Sequence, residues 1–390
     1  MKYDFETVID RSGTGSFKWN AMKEKKCDVG SHIVPLSVAD MEFSNPPQLI
    51  EGLKQHLDNT VLGYTGATDD YFASVISWME RRHGFSPRRE WILQTPGVVP
   101  AINMIVRQYT NQGDGVIVFT PVYYPFFSAI NDNRRTIVRS RLIRAGLRYD
   151  IDFDDFERKA QDKRNVMCIF CSPHNPIGRV WTAKEVERIA KICHDNGVLL
   201  VSDEIHNDLI MRGNEHVSVG TLCSELVENS IICTAPSKTF NLAGMQTSNI
   251  IIASQRLRQR MHNAQGYFSL SALGYKACQL AYNRCEDWLE ELIDVIDQNK
   301  RMVEEYMAAN IPSIKVYPLE GTYLQWWDMN GLGMDYRQME RFLIEKAELF
   351  LDEGSLFGEE GNGFVRINLA CPKAVLLDAL NRLQNALKTV

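Results

Sequence analysis

The sequence predicts an α/β fold in which helices cover a mainly parallel sheet. Short apolar segments recur along the chain with helical stretches between them, at residues 115–120, 166–171, 197–202, 230–234 and 247–253. Parallel strands need crossover connections of this kind, and burial on both faces gives them nearly continuous apolar runs. The alternation therefore favours a doubly covered sheet.

One connecting helix is marked at both ends. Thr182 and Glu185 have the spacing of a capping box, and Gly197 has the position of a stop signal. Between them, apolar residues at helical spacing form one face, which consists of Val186, Ile189, Ala190 and Cys193. The pattern predicts a helix that joins two strands of the sheet.

The pattern changes after Cys285, where we expect a second domain. A long amphipathic helix is predicted over 288–307, strands at 321–328 and 363–369, and a closing helix around Leu376 to Leu387. We predict a large domain over 46–285 and a smaller α+β domain over 286–390. The N-terminal segment 1–45 is expected to join the smaller domain.

Composition excludes several classes of protein. The chain has 390 residues, a net charge of -6 and 45% hydrophobic residues, which argues against intrinsic disorder and against a small disulfide scaffold. Mild acidity disfavours nucleic-acid partners, and no apolar run approaches the roughly 18 residues that cross a bilayer. Nine unclustered cysteines indicate reduced, mostly buried thiols. We expect a cytoplasmic protein without a membrane partner or a metal site.

Polar and aromatic side chains follow four of the apolar segments. In order they are Tyr123 and Tyr124, then Asn175, then Asp203, Glu204 and His206, and finally Ser237 with Lys238. In open parallel sheets, sites form beyond the carboxyl ends of the strands. Each residue alone has an ordinary structural explanation, as a turn, a helix cap, a solvated lysine or a core aromatic. Together they would supply an amine, a carboxylate, an amide and an aromatic face to one site.

The order of these motifs resembles the fold-type I enzymes that depend on pyridoxal 5'-phosphate, the class I/II aminotransferase superfamily. Asn175-Pro176-Ile177-Gly178, then Asp203-Glu204, then Ser237-Lys238 carry the resemblance. The motifs at 11–19, 38–43, 63–65 and 203–206 are closer to its carbon–sulfur lyase branch, the cystathionine β-lyase group typified by the MalY and PatB proteins. The resemblance implies a seven-stranded sheet of the aspartate aminotransferase type and pyridoxal 5'-phosphate as cofactor.

The resemblance also implies roles for the residues at the strand ends. Lys238 is the expected Schiff-base lysine, which also moves the α proton of the substrate. Asp203 is expected to keep the pyridine nitrogen protonated, and Asn175 to donate to the ring hydroxyl oxygen. Tyr123 is expected to stack on the ring, with Tyr124 as the alternative. Lys238, Asp203 and Tyr123 are thus the predicted catalytic residues.

The cofactor phosphate needs hydrogen-bond donors. Backbone N–H groups of Gly97, Val98 and Val99, at the start of an apolar helix, would supply them, and Ser237 would add a hydroxyl. Family members usually carry an arginine eight residues beyond the lysine, but this sequence has Gln246 there. How the phosphate charge is neutralised is therefore open at this stage.

Three further residues have predicted roles. Arg366 is a cation in an otherwise apolar strand and needs a partner, either the α-carboxylate of a substrate or an internal ion pair. Tyr64 resembles a tyrosine that reaches the phosphate from a neighbouring subunit, which implies a homodimer with shared active sites; a core tyrosine is the alternative. His206 stands where ordinary aminotransferases usually have tyrosine and follows the lyase pattern, although a structural histidine is also possible.

The resemblance implies a carbon–sulfur β-lyase that acts on a small amino acid. The favoured substrate is L-cystathionine or a related S-substituted L-cysteine, with a thiol, pyruvate and ammonia as products. His206 and the N-terminal motifs favour this elimination. The alternatives are an aminotransferase with the same cofactor and, less favoured, a regulatory protein that keeps the cofactor but acts by binding another protein.

Overall fold

The computed structural model describes residues 1–265 and 269–389. Its strands are β1 (Ile92–Thr95), β2 (Gly115–Thr120), β3 (Thr136–Arg141), β4 (Ile143–Ala145), β5 (Arg148–Asp150), β6 (Asn165–Cys171), β7 (Leu199–Asp203), β8 (Ser230–Thr234), β9 (Ser248–Ile251), β10 (Lys315–Val316), β11 (Leu324–Asp328), β12 (Asp352–Glu353) and β13 (Phe364–Asn368).

The helices alternate with these strands over much of the chain. They are α1 (Phe17–Lys25), α2 (Pro47–Asp58), α3 (Asp69–His83), α4 (Val98–Tyr109), α5 (Pro125–Asp132), α6 (Phe153–Gln161), α7 (Ala183–Asn196), α8 (Ser224–Glu228), α9 (Pro236–Thr239), α10 (Gln255–Gln265), α11 (Ala272–Arg284), α12 (Glu286–Asn310), α13 (Tyr336–Arg341) and α14 (Lys373–Leu387).

Seven strands form the central sheet, in the order β1-β9-β8-β7-β6-β2-β3. The pairs from β8 to β3 are parallel, whereas β9 runs antiparallel to both β8 and β1. The predicted fold class, with a mainly parallel seven-stranded sheet, is therefore confirmed. The parallel strands bring their carboxyl ends to one edge of the sheet.

Both faces of the central sheet are buried. Successive residues of β6 alternate between two apolar clusters, so that Cys168 and Phe170 face one cluster and Ile169 and Cys171 the other. Helices α6 and α7 cover the first face, and α4 and α5 cover the second. Cys168 and Cys171 therefore lie on opposite faces of the sheet.

The nine cysteines all lie within the described part of the chain, and all are free thiols. Seven are buried, and only Cys27 and Cys223 are exposed. Burial raises the pKa of most of the buried thiols, including Cys168, Cys171 and Cys233.

The predicted capping box is present at α7. The Thr182 side chain accepts a hydrogen bond from the Glu185 backbone N–H at 3.3 Å, and the Glu185 carboxylate accepts one from the Thr182 backbone N–H at 2.7 Å. The helix ends at Gly197, which adopts the left-handed conformation with φ of 72° that glycine accommodates best.

A second, four-stranded antiparallel sheet has the order β10-β11-β13-β12. Helices α12 and α14 pack together beside it, and the N-terminal segment joins it through two backbone hydrogen bonds, from Leu36 to Phe350 and from Asn368 to Leu36. These bonds connect the N-terminal segment to the C-terminal part of the chain. The domain boundaries themselves stay a prediction.

None of the helices in the described ranges is both long enough and apolar enough to cross a bilayer.

Candidate active site

A cavity of about 180 Å³ lies at the edge of the central sheet where the parallel strands end. It brings together nine of the eleven predicted site residues, namely Gly97, Val98, Val99, Tyr123, Asn175, Asp203, His206, Ser237 and Lys238. Asp203 is the last residue of β7. Tyr123, Asn175 and His206 follow β2, β6 and β7 in that order, and Ser237 and Lys238 follow β8. Because these strands are neighbours in the sheet and end at the same edge, residues far apart in sequence meet in one site.

Lys238 lies on the short helix α9, which starts directly after β8 with a proline at its first position. Its Nζ donates a hydrogen bond to the backbone carbonyl of Ala39 at 2.8 Å. Burial lowers the pKa of this amine to about 8; Asp40 and Asp203 oppose the shift, and Arg366 adds to it. A neutral, nucleophilic amine is therefore accessible near neutral pH.

Asp203 is the last residue of β7 and is buried. Burial raises the pKa of its carboxyl group to about 7, against the opposing effects of the Ile205 backbone N–H and the Lys238 charge. The described residues offer this carboxylate one hydrogen bond, from Ile205 N at 3.1 Å. The ionised form of Asp203 is therefore short of donors, and a bound cation would favour it.

Arg366 belongs to the second sheet and does not itself line the cavity, but it contacts Asn175, which does. It lies in the buried strand β13, directly opposite Asp352 of β12. Its Nε donates to the Asp352 carboxylate at 3.1 Å, its Nη2 donates to the same oxygen, and its Nη1 donates to Asn175 Oδ1 at 2.8 Å. The internal ion pair that the sequence left open is therefore present, and it leaves part of the guanidinium for another partner.

His206 is buried, and its Nδ1 has no hydrogen-bond partner among the described residues. Burial lowers the pKa of the imidazole well below its ordinary value, and the charges of Lys238 and Arg366 act in the same direction. The ring contacts Tyr323 edge-on, with 5.8 Å between centroids. His206 thus presents a neutral imidazole to the cavity.

Tyr123 lines the cavity, whereas its neighbour Tyr124 does not. The two rings pack against each other with 5.5 Å between centroids, and Tyr124 is 39% exposed. Burial raises the pKa of the Tyr123 hydroxyl, which therefore stays protonated. The position of Tyr123 supports its choice over Tyr124 as the aromatic at the site.

Part of the cavity lining has the character of an anion site. Helix α4 begins at Val98, and the first backbone N–H groups of a helix lack partners within it. Gly97 precedes the helix with φ of 154°, a backbone conformation that favours glycine. Ser237 and Gln246 line the same cavity, where Lys238 is the one cation among the described lining residues.

Tyr64 lies outside this cavity. Its side chain is 95% exposed, and the neighbouring Val61 and Leu62 are 91% and 62% exposed. Tyr64 contributes instead to a separate surface pocket. Its alternative as a core tyrosine is therefore wrong for the single chain.

Sequence reasoning assigns no role to several residues that line the cavity, among them Ala39, Cys171, Ile205 and Thr247. Ala39 lies in the motif at 38–43, which carries only the resemblance to the lyase branch. It contributes a backbone carbonyl, and a backbone contact leaves no signature in side-chain chemistry.

A family model described as aminotransferase class I and II matches residues 31–383 of the chain. The chain belongs to the class I and II aminotransferase family. The family predicted from the motifs is thereby confirmed, and the match spans both sheets.

Individual known proteins are similar to this chain over nearly its full length. Cystathionine beta-lyase PatB of Bacillus subtilis is 36% identical over 388 residues, covering 98% of this chain and 100% of that protein. Protein MalY of Escherichia coli is 30% identical and covers 100% of both chains. The crystal structure of cystalysin from Treponema denticola, which contains pyridoxal 5'-phosphate, matches 100% of both chains with a TM-score of 0.98 and 49% identity.

Proposed function

We propose that this chain is a pyridoxal-phosphate-dependent carbon–sulfur β-lyase that acts on L-cystathionine or a related S-substituted L-cysteine. The observation that carries the proposal is the meeting of Lys238 and Asp203 in one cavity, where burial shifts the pKa of each toward 7. The names of the two curated relatives, and the cofactor of the cystalysin structure, support the predicted reaction and cofactor.

The residues of the cavity fit pyridoxal 5'-phosphate. The Lys238 amine would hold its aldehyde, and the donor-poor carboxylate of Asp203 would bind its protonated ring nitrogen. Asn175 would donate to the ring hydroxyl oxygen, and Tyr123 would stack on the ring. His206, with an unpartnered Nδ1, is available for a further polar contact.

The phosphate would lie at the start of α4, against the backbone N–H groups of Gly97, Val98 and Val99. Ser237 and Gln246 would add neutral donors. The helix dipole and these donors would take the place of the arginine that family members usually carry at position 246.

When bound, the cofactor supplies an electron sink for the pair of electrons left on the α carbon of the substrate. Arg366 would bind the substrate α-carboxylate and so orient the α C–H bond. Lys238, released from the aldehyde by the substrate amine, would take the α proton at its Nζ. Its lowered pKa suits this task, because a neutral amine is needed to accept the proton.

Loss of the β thiolate would follow removal of the α proton. Lys238 would then recover its place and free the three-carbon product, which water converts to pyruvate and ammonia. The balance for L-cystathionine is homocysteine, pyruvate and ammonia from one substrate and one water.

The proposal includes a homodimer in the cytoplasm. Val61, Leu62 and Tyr64 are neighbouring residues with exposed apolar side chains, which a second subunit would bury. Tyr64 would then reach the phosphate of the neighbouring subunit. Gel filtration with light scattering tests the dimer, and Tyr64→Ala should weaken cofactor retention in it.

Pyruvate release from L-cystathionine by the purified, cofactor-loaded protein, with no 2-oxo acid added, tests the reaction. Many turnovers per subunit would support β-elimination. Stoichiometric conversion of the cofactor to its pyridoxamine form, without pyruvate, would establish the alternative aminotransferase and contradict the proposal.

A further inference from the structure

The guanidinium of Arg366 is held on three sides. Asp352 accepts from Nε and Nη2 through its Oδ2, Asn175 accepts from Nη1, and the Phe357 ring packs against the guanidinium face at 4.8 Å from Cζ to the centroid. Arginine has five N–H donors, so these three bonds leave one on each terminal nitrogen. Two such donors are what a carboxylate needs for bidentate binding.

Asp352 is placed for this contact by strand pairing. It lies directly opposite Arg366 in the β12–β13 pair, and its side chain is only 11% exposed. A buried guanidinium needs a counter-charge, and an ion pair along one edge also fixes the direction of the other edge. That other edge adjoins Asn175, which lines the cavity.

The same carboxylate oxygen accepts a third hydrogen bond, from the N-terminal segment. Asp352 Oδ2 accepts a hydrogen bond from the Val38 backbone N–H at 2.9 Å, and Val38 adopts a left-handed conformation with φ of 59°. The next residue, Ala39, supplies the carbonyl that accepts from Lys238 Nζ. One oxygen atom thus fixes both the arginine and the segment beside the lysine.

We propose that Asp352 is a positioning residue, which aligns Arg366 for the α-carboxylate of the substrate amino acid. This inference rests on the proposed function. It reconciles the two alternatives for Arg366, because the internal ion pair occupies one edge of the guanidinium and the substrate takes the remaining donors.

The test compares two ligands that differ by the carboxylate alone, L-alanine and ethylamine, in the cofactor-loaded enzyme. Binding is followed by the absorbance of the bound cofactor in the native protein, in Asp352→Asn and in Glu353→Gln. Glu353 is a matched control, because it is the next residue of β12 and its carboxylate pairs with Lys25 at 3.1 Å.

In Asp352→Asn we expect the Kd of L-alanine to rise about 10- to 100-fold, the equivalent of one hydrogen bond to a charged group. The Kd of ethylamine should not change, and Glu353→Gln should bind both ligands normally. With an S-substituted cysteine, KM should rise more than kcat falls. An unchanged Kd for L-alanine would overturn the inference, because Asp352 would then have no role in substrate binding. A lower Kd would also overturn it, because Asp352 would then compete with the substrate carboxylate for Arg366.

Asp352→Asn leaves a buried cation without its counter-charge and can fail to fold. Asp352→Glu keeps the charge and lengthens the side chain by one methylene, so it tests alignment alone. A raised Kd for L-alanine with an unchanged melting temperature supports the inference, and a native Kd refutes it. If the native enzyme itself does not bind L-alanine more tightly than ethylamine, the result contradicts the proposed role of Arg366, whatever the Asp352 variants show.

Discussion

The raised pKa of Asp203 predicts a stability penalty that depends on pH. The carboxyl titrates near 3.8 in the unfolded chain and at about 7 in the folded, cofactor-free protein. The folded state therefore binds the proton more tightly, and stability falls as pH rises between these two values. With 1.36 kcal/mol per pKa unit, the penalty reaches at most about 4 kcal/mol above pH 7 and about 1.5 kcal/mol at pH 5.

Asp203→Asn should remove this penalty. The amide oxygen can still accept the bond from the Ile205 backbone N–H, and no charge is buried. The gain in unfolding free energy should therefore be about 2 to 3 kcal/mol larger at pH 8 than at pH 5. Urea unfolding of the cofactor-free proteins at the two pH values measures it, with Asp287→Asn, whose side chain is 78% exposed, as the control.

In the cofactor-loaded protein the gain should vanish, because a cationic ring nitrogen would compensate the carboxylate. A gain that is equal at pH 5 and pH 8 would refute the reasoning. It would mean that other groups of the cofactor-free protein already stabilise the ionised Asp203 carboxylate. A lack of hydrogen-bond donors would then not explain why this position suits the cofactor.

Three other changes have expected outcomes. Lys238→Ala should abolish pyruvate release, and borohydride reduction followed by peptide mass spectrometry should find the cofactor on Lys238 in the native protein; label on another lysine would contradict this assignment. Glu42→Gln should cost about 3 to 5 kcal/mol in a denaturant titration, because Glu42 forms a buried ion pair with Lys18 at 2.6 Å; a loss below about 1 kcal/mol would show that water reaches the pair. Thr182→Ala should cost about 1 kcal/mol by removing the cap of α7, and an unchanged melting temperature would show that Glu185 alone suffices.

The sequence was most informative where burial controls the pattern. The strands at 115–120 and 230–234 match their predicted ranges, because apolar residues fill both faces of the sheet there. The polar residues after these strands meet for a topological reason, since parallel strands share one carboxyl edge. Most of the candidate site followed from that rule together with the family motifs.

Long-range pairing was harder to foresee. β3 carries Arg139 and Arg141 at the margin of the sheet, so no apolar run marks it. The contact between Asp352 and Arg366 depends on which strand pairs with which, and sequence spacing does not determine that. The exposure of Tyr64 likewise depends on tertiary placement, which the local sequence does not specify.

The absence of disulfides among the nine cysteines suits a reaction that releases a thiol. A β-lyase of this kind generates thiols beside its own surface, and thiolates attack disulfides by exchange. A fold that contains no disulfide among these cysteines offers its product nothing to reduce. Burial also keeps the other seven sulfurs from forming mixed disulfides, which leaves Cys27 and Cys223 as the positions where the enzyme and its product could become linked.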